Sequence, residues 1–136
     1  MIVVDASALS AFLLKEPGWR TISRYIARST SVDLVVKEAA NAIWKAHMRG
    51  LVDRSAALRL LEILLSLVEK NIELEPEAAY LPDAFRLALD LRITVYDALY
   101  IAQALRREAP LLTLDEKQAE AAAKSGVDVI SRDAPP

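Results

Sequence analysis

At 136 residues and 54% hydrophobic content, the chain has the size of one domain with an ample core, and the apolar surplus indicates a surface that a partner buries. Its 17 basic and 19 acidic residues give a net charge of −2, which excludes a protein held on nucleic acid by its overall field. With no cysteine and one histidine, disulfides, thiolate chemistry and multi-histidine zinc sites are excluded, so any metal must have oxygen ligands, as Mg²⁺ or Mn²⁺ does.

Short apolar strands alternate with helices along the chain. Strands are predicted at residues 2–4, 32–36, 72–74, 111–113 and 127–130. Helices are predicted at residues 8–15, 19–27, 38–49, 55–70, 81–91, 94–107 and 116–124, with Ser7 capping the first helix. This alternation predicts an α/β fold in which helices cover both faces of a mostly parallel five-stranded sheet. We expect one domain over residues 1–133, followed by a loose tail at 134–136.

The helix predicted at 55–70 has an apolar face that is wider than one core contact requires. Together with the high hydrophobic content, this face predicts a homodimer, with this helix and the preceding one as candidates for the interface. No segment reaches the roughly 18 apolar residues of a membrane span. The beginning of the chain also lacks the basic segment of a signal peptide. We therefore expect a cytoplasmic protein without a membrane partner.

Four acidic residues lie at predicted strand ends or helix starts. Asp5 directly follows the first strand, and Glu38 lies two residues past the second, in the first turn of its helix. Asp97 lies in the first turn of the helix predicted at 94–107, and Asp115 lies two residues past the fourth strand. Ligands of parallel sheets bind beyond the carboxyl ends of the strands, so we expect these four acids to meet along one edge.

Each acid on its own also has a purely structural explanation. Asp97 fits the third position after a capping Thr94, as in a capping box. Glu38 and Asp115 fit the general preference for acids at helix N-termini. Asp5 is harder to explain in this way, because it immediately follows an apolar strand and shares its turn with Ser7.

Four converging carboxylates are more informative together than singly. They repel one another unless a cation neutralises them, and a hard divalent ion does so with two or three carboxylates and several waters. Such an ion lowers the pKa of a bound water and stabilises charge on a phosphodiester, so no nucleophilic side chain is needed. We expect Asp5 and Asp97 to be the main metal ligands, with Glu38 and Asp115 holding metal-bound water or a weaker ion.

Around these acids the sequence resembles the PIN-domain nucleases, in particular the small toxins of the VapC type, over nearly its whole length. The matching segments are IVVDASAL at 2–9, KEAANAIWK at 37–45, TVYDALYIAQA at 94–104 and LLTLDEKQA at 111–119. The resemblance implies a three-layer α/β/α fold and Mg²⁺- or Mn²⁺-dependent hydrolysis of RNA. It also implies homodimers and inhibition by an antitoxin encoded alongside.

The family's site residues map onto this chain position by position. Its four catalytic and metal-binding acids correspond to Asp5, Glu38, Asp97 and Asp115. Its supporting polar residues correspond to Ser7, Asn41 and Thr113. Some members carry a further acid near position 118, where this chain has Gln118, which puts a second metal site in doubt.

Other functions remain to be weighed against this one. A receiver domain requires paired acids after the first strand and a lysine after the last, and an aspartyl-phosphate phosphatase requires an aspartate at Ser7; this chain meets neither condition. The open alternative is a non-catalytic PIN-like module that binds RNA or protein. Metal-dependent cleavage of RNA would distinguish the two.

Basic and aromatic residues give weaker indications of an RNA path. Lys45 and Arg49 share one helix face, and a second face carries three arginines at 20, 24 and 28. Either set would guide the RNA backbone, although a solvated face explains them equally well. Tyr96 and Tyr100 flank Asp97 and would stack on a base, although core packing is the commoner role of tyrosines at this spacing.

Overall fold

The computed structural model describes residues 1–131 as a five-stranded sheet with seven α-helices. The elements are β1 (Ile2–Val4), α1 (Ala6–Leu13), α2 (Trp19–Ile26), β2 (Ser29–Val32), α3 (Leu34–Met48), α4 (Arg54–Lys70), β3 (Ile72–Glu75), a 3₁₀ turn (Glu77–Ala79), α5 (Leu81–Leu91), α6 (Val95–Arg107), β4 (Leu111–Leu112), α7 (Glu116–Lys124) and β5 (Val129–Ile130). The predicted tail at 134–136 and the last two residues of the predicted domain lie outside the described residues.

The strands lie in the order β3-β2-β1-β4-β5, and all four pairings are parallel. From β1 the chain adds β2 and β3 towards one edge of the sheet, and it then returns to add β4 and β5 towards the other edge. Because crossovers between parallel strands are right-handed, this reversal places α1 to α4 on one face of the sheet and α5 to α7 on the other. The predicted three-layer α/β/α fold is confirmed. The strand order reverses between β1 and β4, and ligands of such sheets bind at the carboxyl ends of the strands at this point.

The two strands at this reversal are completely buried. Val3 and Val4 of β1 and Leu111 and Leu112 of β4 are each 0% exposed. Burial of each such side chain contributes on the order of 1.5–3 kcal/mol to the free energy of unfolding. The residues that directly follow these strands therefore extend from the most rigid part of the sheet.

The second strand does not lie where the sequence predicted it. Residues 32–36 were expected to form β2, but β2 spans Ser29–Val32, and the apolar run after it begins α3. A short apolar run does not distinguish a strand from a buried helix start. The hydroxyl-rich strand is buried because its side chains bond to the backbone, for example Ser31 Oγ to the Val4 carbonyl at 2.7 Å. Glu38 consequently lies in the second turn of α3, not in the first.

The cap of the first helix was also assigned to the wrong residue. The helix begins at Ala6, and Asp5 caps it by accepting the Ala8 N–H at 3.0 Å, whereas Ser7 lies inside the first turn. α3 begins four residues earlier than predicted, and the remaining elements begin and end within one or two residues of their predicted bounds. No helix within residues 1–131 combines the length and the apolarity that crossing a membrane requires.

Candidate active site

Asp5 directly follows β1, and its side chain is almost fully enclosed, since the residue is 4% exposed. The Ser7 hydroxyl donates to Oδ1 at 2.7 Å, and the Ala8 N–H donates to the same oxygen. The Thr113 hydroxyl, from the end of β4, donates to Oδ2. The carboxylate is therefore held in one orientation by residues from both central strands.

Burial raises the pKa of Asp5 to about 6, because the enclosed site disfavours the charged form. Hydrogen bonds from Thr113, Ser7 and Ala8 lower the pKa, and the charge of Asp115 raises it. The three hydrogen bonds lower the pKa by less than burial raises it. No positively charged group is among the causes of the shift, so the charge of an ionised Asp5 is not balanced by a neighbouring cation.

Ser7 and Thr113 join the carboxyl ends of the two central strands. Ser7 Oγ accepts the Leu114 N–H at 2.9 Å, and Thr113 Oγ1 accepts the Asp115 N–H at 3.1 Å. Asp115 in turn caps α7, because its Oδ1 accepts the N–H groups of the second and third residues of the helix at 2.9 and 3.2 Å. These contacts fix the backbone of Asp115 next to Asp5.

Asp97 is half-buried at the third position of α6, where the sequence placed it. The helix is capped by Thr94, whose hydroxyl accepts the Asp97 N–H at 3.1 Å. Burial raises the pKa of Asp97, the charge of Asp115 raises it further, and a hydrogen bond with Thr94 lowers it. From α7, Gln118 Nε2 donates to the Asp97 carbonyl at 2.9 Å.

Glu38 projects from the second turn of α3 and is half-buried. Its Oε1 accepts the hydroxyl of Tyr100 at 2.6 Å, and Tyr100 itself is 1% exposed on α6. Burial raises the pKa of Glu38, the bond from Tyr100 lowers it, and the charges of Asp97 and Glu77 raise it. Glu38 is thus held by a helix from the opposite layer.

Each of the four predicted acids interacts electrostatically with at least one of the others. Asp115 raises the pKa of both Asp5 and Asp97, and Asp97 raises that of Glu38. Within residues 1–131, however, no group of three or more Asp, Glu, His or Cys side chains is arranged so that it could hold a metal ion. The donors fit a hard divalent cation in their chemistry, because they are all oxygens, and Mg²⁺ keeps several waters and needs only one or two carboxylates.

Helix capping accounts for part of this arrangement. Asp5 and Asp115 both cap helices through Oδ1, which is the purely structural role that acids at helix starts can have. Asp53, by comparison, caps α4 through the Ala56 N–H at 2.7 Å from an exposed position. Capping therefore does not require the burial of Asp5 or a second carboxylate beside it.

An open cleft of about 700 Å³ is lined by Glu38 and by Ser7, whereas the other three predicted acids are not among its lining residues. One wall is a face of α3 that carries Lys37, Glu38, Asn41 and Lys45, and Tyr96 from the start of α6 also lines it. Asn41, predicted to support the site, is exposed on this wall. Among the predicted basic residues, Lys45 lines the cleft, whereas Arg49 and the three arginines of 20–28 are not among its lining residues.

The sequence did not identify the partner of Glu38. Tyr100 was assigned to the core or to base stacking, and its ring is in the core, but its hydroxyl binds a predicted catalytic acid. The available signal was its spacing of three residues from Asp97, which puts both on one face of α6. Tyr96 differs from Tyr100, because it is 60% exposed and lines the cleft.

Several known proteins are similar to this chain in sequence and in fold. The family model described as PIN domain matches residues 2–124. Ribonuclease VapC3 of Pyrobaculum aerophilum is 38% identical over 122 residues, which cover 88% of this chain and 92% of that protein. Exonuclease VapC9 of the same organism is 32% identical over 127 residues, or 93% and 89%. The crystal structure of PAE2754 from Pyrobaculum aerophilum matches with a TM-score of 0.73 at 28% identity, over 96% of this chain and 88% of that one.

Proposed function

Because this chain belongs to the PIN-domain family, we propose that it is a Mg²⁺- or Mn²⁺-dependent ribonuclease and the toxin of a toxin–antitoxin pair. The observation that supports this most directly is Asp5, a buried carboxylate whose pKa is raised to about 6 and which lies within the field of a second carboxylate, that of Asp115. A divalent cation is the partner that such a group lacks. The cytoplasm is the proposed compartment, since the proposed substrate is RNA.

The proposed division of roles follows from the contacts of each acid. When bound, Mg²⁺ or Mn²⁺ supplies a water of lowered pKa and a positive charge for the phosphodiester. Asp5 and Asp97 hold the ion, with Asp5 oriented by Ser7 and Thr113. Glu38 and Asp115 orient water beside it, and the hydroxyl of Tyr100 keeps one oxygen of Glu38 in place.

The cleft beside the acids is the proposed path of the RNA strand. Lys37 and Lys45 are exposed on the same wall and form no ion pair among the described residues, so both are available to phosphates. Eight residues of helix separate them by about 12 Å, a distance that a few nucleotides span. The exposed ring of Tyr96 offers a stacking surface for a base. Since the net charge of −2 does not attract RNA to the protein as a whole, these two lysines provide the positive charge that binds the phosphates.

The test is cleavage of single-stranded RNA with Mn²⁺ or Mg²⁺ and with EDTA. We expect cleavage only with the metal, leaving a 5′-phosphate and a 3′-hydroxyl, because water and not the RNA 2′-hydroxyl is the proposed nucleophile. Undiminished cleavage in EDTA, or a 2′,3′-cyclic phosphate end, would contradict the mechanism. RNA binding without cleavage in any metal would instead identify the non-catalytic binding module.

Two exposed apolar surfaces support the proposal of two protein partners. One combines Trp44 and Met48 of α3 with Leu58 and Leu65 of α4, the two helices that the sequence indicated for the dimer interface. The other is a stripe along α5 formed by Leu81, Phe85 and Leu89, which are 47%, 53% and 67% exposed. We assign one surface to a second copy of the chain and the other to the antitoxin. A short neighbouring gene that encodes a DNA-binding start and a polar helical end would support the latter.

A further inference from the structure

Gln118 is a buried amide at the place where the two helices of the acidic edge begin. It is the third residue of α7, is 2% exposed, and has its backbone N–H bonded to Asp115 Oδ1 at 3.2 Å. Its side-chain Nε2 donates to the carbonyl of Asp97 at 2.9 Å. Within residues 1–131, no other side-chain hydrogen bond joins α6 to α7. Gln118 therefore contacts the residues of two acids at once.

Stability alone does not explain a glutamine at this position. Gln118 Oε1 is buried and has no hydrogen-bond partner among the described residues. An unpaired buried polar atom costs roughly 1–3 kcal/mol, whereas one neutral hydrogen bond contributes about 0.5–1.5 kcal/mol. An apolar side chain of the same length, such as methionine, would fill the space without the unpaired oxygen. Among the described residues, what the amide adds over such a methionine is the hydrogen bond from Nε2 to the Asp97 carbonyl.

The hydrogen bond from Gln118 acts against the repulsion between the two neighbouring acids. Asp97 and Asp115 are like charges near the starts of their helices, and the charge of Asp115 raises the pKa of Asp97. Since Asp97 lies in the first turn of α6, a bond to its own carbonyl fixes the backbone from which its carboxylate projects. Gln118 and the Asp115 cap share the first turn of α7, so the same bond sets the separation of the two acids.

We propose that Gln118 is a positioning residue that holds the helix start of Asp97 beside that of Asp115, so that both carboxylates can serve one divalent cation. The proposal rests on the metal site of the proposed function. Gln118 does not itself touch the ion or the RNA. Partners that orient metal ligands typically change metal affinity by 10–100-fold when they are removed, so the effect is measurable without any cleavage assay.

The experiment measures Mn²⁺ affinity and metal-free melting temperature for Gln118→Met. We expect Mn²⁺ binding to weaken about 10-fold, while the metal-free protein melts at the wild-type temperature or above it. Gln103→Met is the matched control. Gln103 is 0% exposed and also has an unpartnered Oε1, but its Nε2 bonds to Thr30 and Glu75 instead of the acidic edge. That variant should lose stability and keep its Mn²⁺ affinity.

Asp5→Asn separates failure of this proposal from failure of the metal site. If Asp5→Asn weakens Mn²⁺ binding and Gln118→Met does not, Gln118 has no positioning role, and the metal site stands. If neither substitution changes Mn²⁺ binding, the metal site itself is wrong. Should Gln118→Met not fold, Gln118→Asn asks the same question, because the shorter amide cannot reach the Asp97 carbonyl. Wild-type Mn²⁺ affinity in Gln118→Asn would likewise overturn the proposal.

Discussion

Asp5→Asn removes the charge of the most buried acid and leaves its size almost unchanged. The pKa of Asp5 lies about two units above its ordinary value of 3.8. At about 1.4 kcal/mol per unit, the ionised carboxylate destabilises the metal-free fold by about 3 kcal/mol at neutral pH. Asparagine stays neutral, so the metal-free variant should be more stable than the wild type by up to this amount, or by roughly 10 °C in melting temperature.

The raised pKa of Asp5 determines how the stability difference between Asp5→Asn and the wild type changes with pH. Because the folded-state pKa of Asp5 is raised, the folded protein binds more protons than the unfolded chain between about pH 4 and pH 6. The contribution of Asp5 to wild-type stability is therefore fully present below about pH 4 and is lost as the pH rises through the folded-state pKa. The difference in melting temperature between Asp5→Asn and wild type should be near zero below pH 4 and reach its maximum above pH 6.

Metal should reverse the order of the two proteins. A ligand at about 1,000 times its dissociation constant stabilises the folded state by about 4.1 kcal/mol, which exceeds the roughly 3 kcal/mol advantage of the metal-free variant. At this excess, Mn²⁺ should raise the melting temperature of the wild type above that of Asp5→Asn, whose own melting temperature should not change. Cleavage by the variant should fall by at least about 10²-fold. Thermal melts at pH 4 and pH 7, in EDTA and in Mn²⁺, together with an RNA cleavage assay, measure all of these effects.

Asp53→Asn is the control for a cap that lies away from the acids. Asp53 caps α4 from an exposed position, and asparagine is an equally good cap, so stability and cleavage should both be unchanged. A large drop in the metal-free melting temperature of Asp5→Asn at pH 7 would refute the reasoning. The three hydrogen bonds of Asp5 would then stabilise its charged form, and Asp5 would be a structural cap.

Two further predictions concern the cleft and the apolar surfaces. Because Lys45 lines the cleft, Lys45→Ala should raise KM for RNA several-fold and leave kcat unchanged. It should also lower the slope of RNA affinity against salt concentration by about one counterion. Lys70 lies outside the cleft, so Lys70→Ala should have neither effect. A lower kcat with unchanged KM would place Lys45 outside the RNA path. Light scattering should give twice the monomer mass of 15.0 kDa. Only one of the two substitutions Leu89→Glu on α5 and Leu65→Glu on α4 should reduce the mass to that of one chain, because only one of the two apolar surfaces is assigned to the second copy. Wild type at 15.0 kDa at micromolar concentration rejects the homodimer.

The fold was predictable where apolar residues have one clear periodicity. Ile2–Val4 and the helices at 81–91 and 116–124 were placed at their observed bounds. Asp5 follows the strand, Pro82 marks the first turn of one helix, and Asp115 and Gly126 lie on either side of the other. The β2 strand was not placed correctly, because its signal is tertiary. Ser29, Thr30 and Ser31 are at most 1% exposed, and they are accommodated only because their hydroxyls bond to main-chain carbonyls. Local sequence does not reveal such partners.

For the site, the sequence predicted which acids lie at strand ends and helix starts, but not how they are held. Asp5, Asp97 and Asp115 were recognisable because each begins a helix next to a turn. The bond from Tyr100 to Glu38 spans 62 positions in the chain and joins opposite layers. The burial that raises the pKa of Asp5 likewise depends on the whole sheet. Long-range packing of this kind leaves no local pattern.

The strand order has a consequence for how the chain matures on the ribosome. Asp5 and Glu38 lie in the first half of the chain, and β1 acquires its second neighbour, β4, only when Leu111–Leu112 is available. Until then the Asp5 edge is unpaired and lacks the Thr113 hydroxyl, and Asp115 has not been synthesised. A nascent chain therefore carries an incomplete set of acids until Asp115 has been synthesised. The proposed metal site is therefore complete only after β4 has paired with β1, so the proposed ribonuclease activity would be absent from shorter nascent chains.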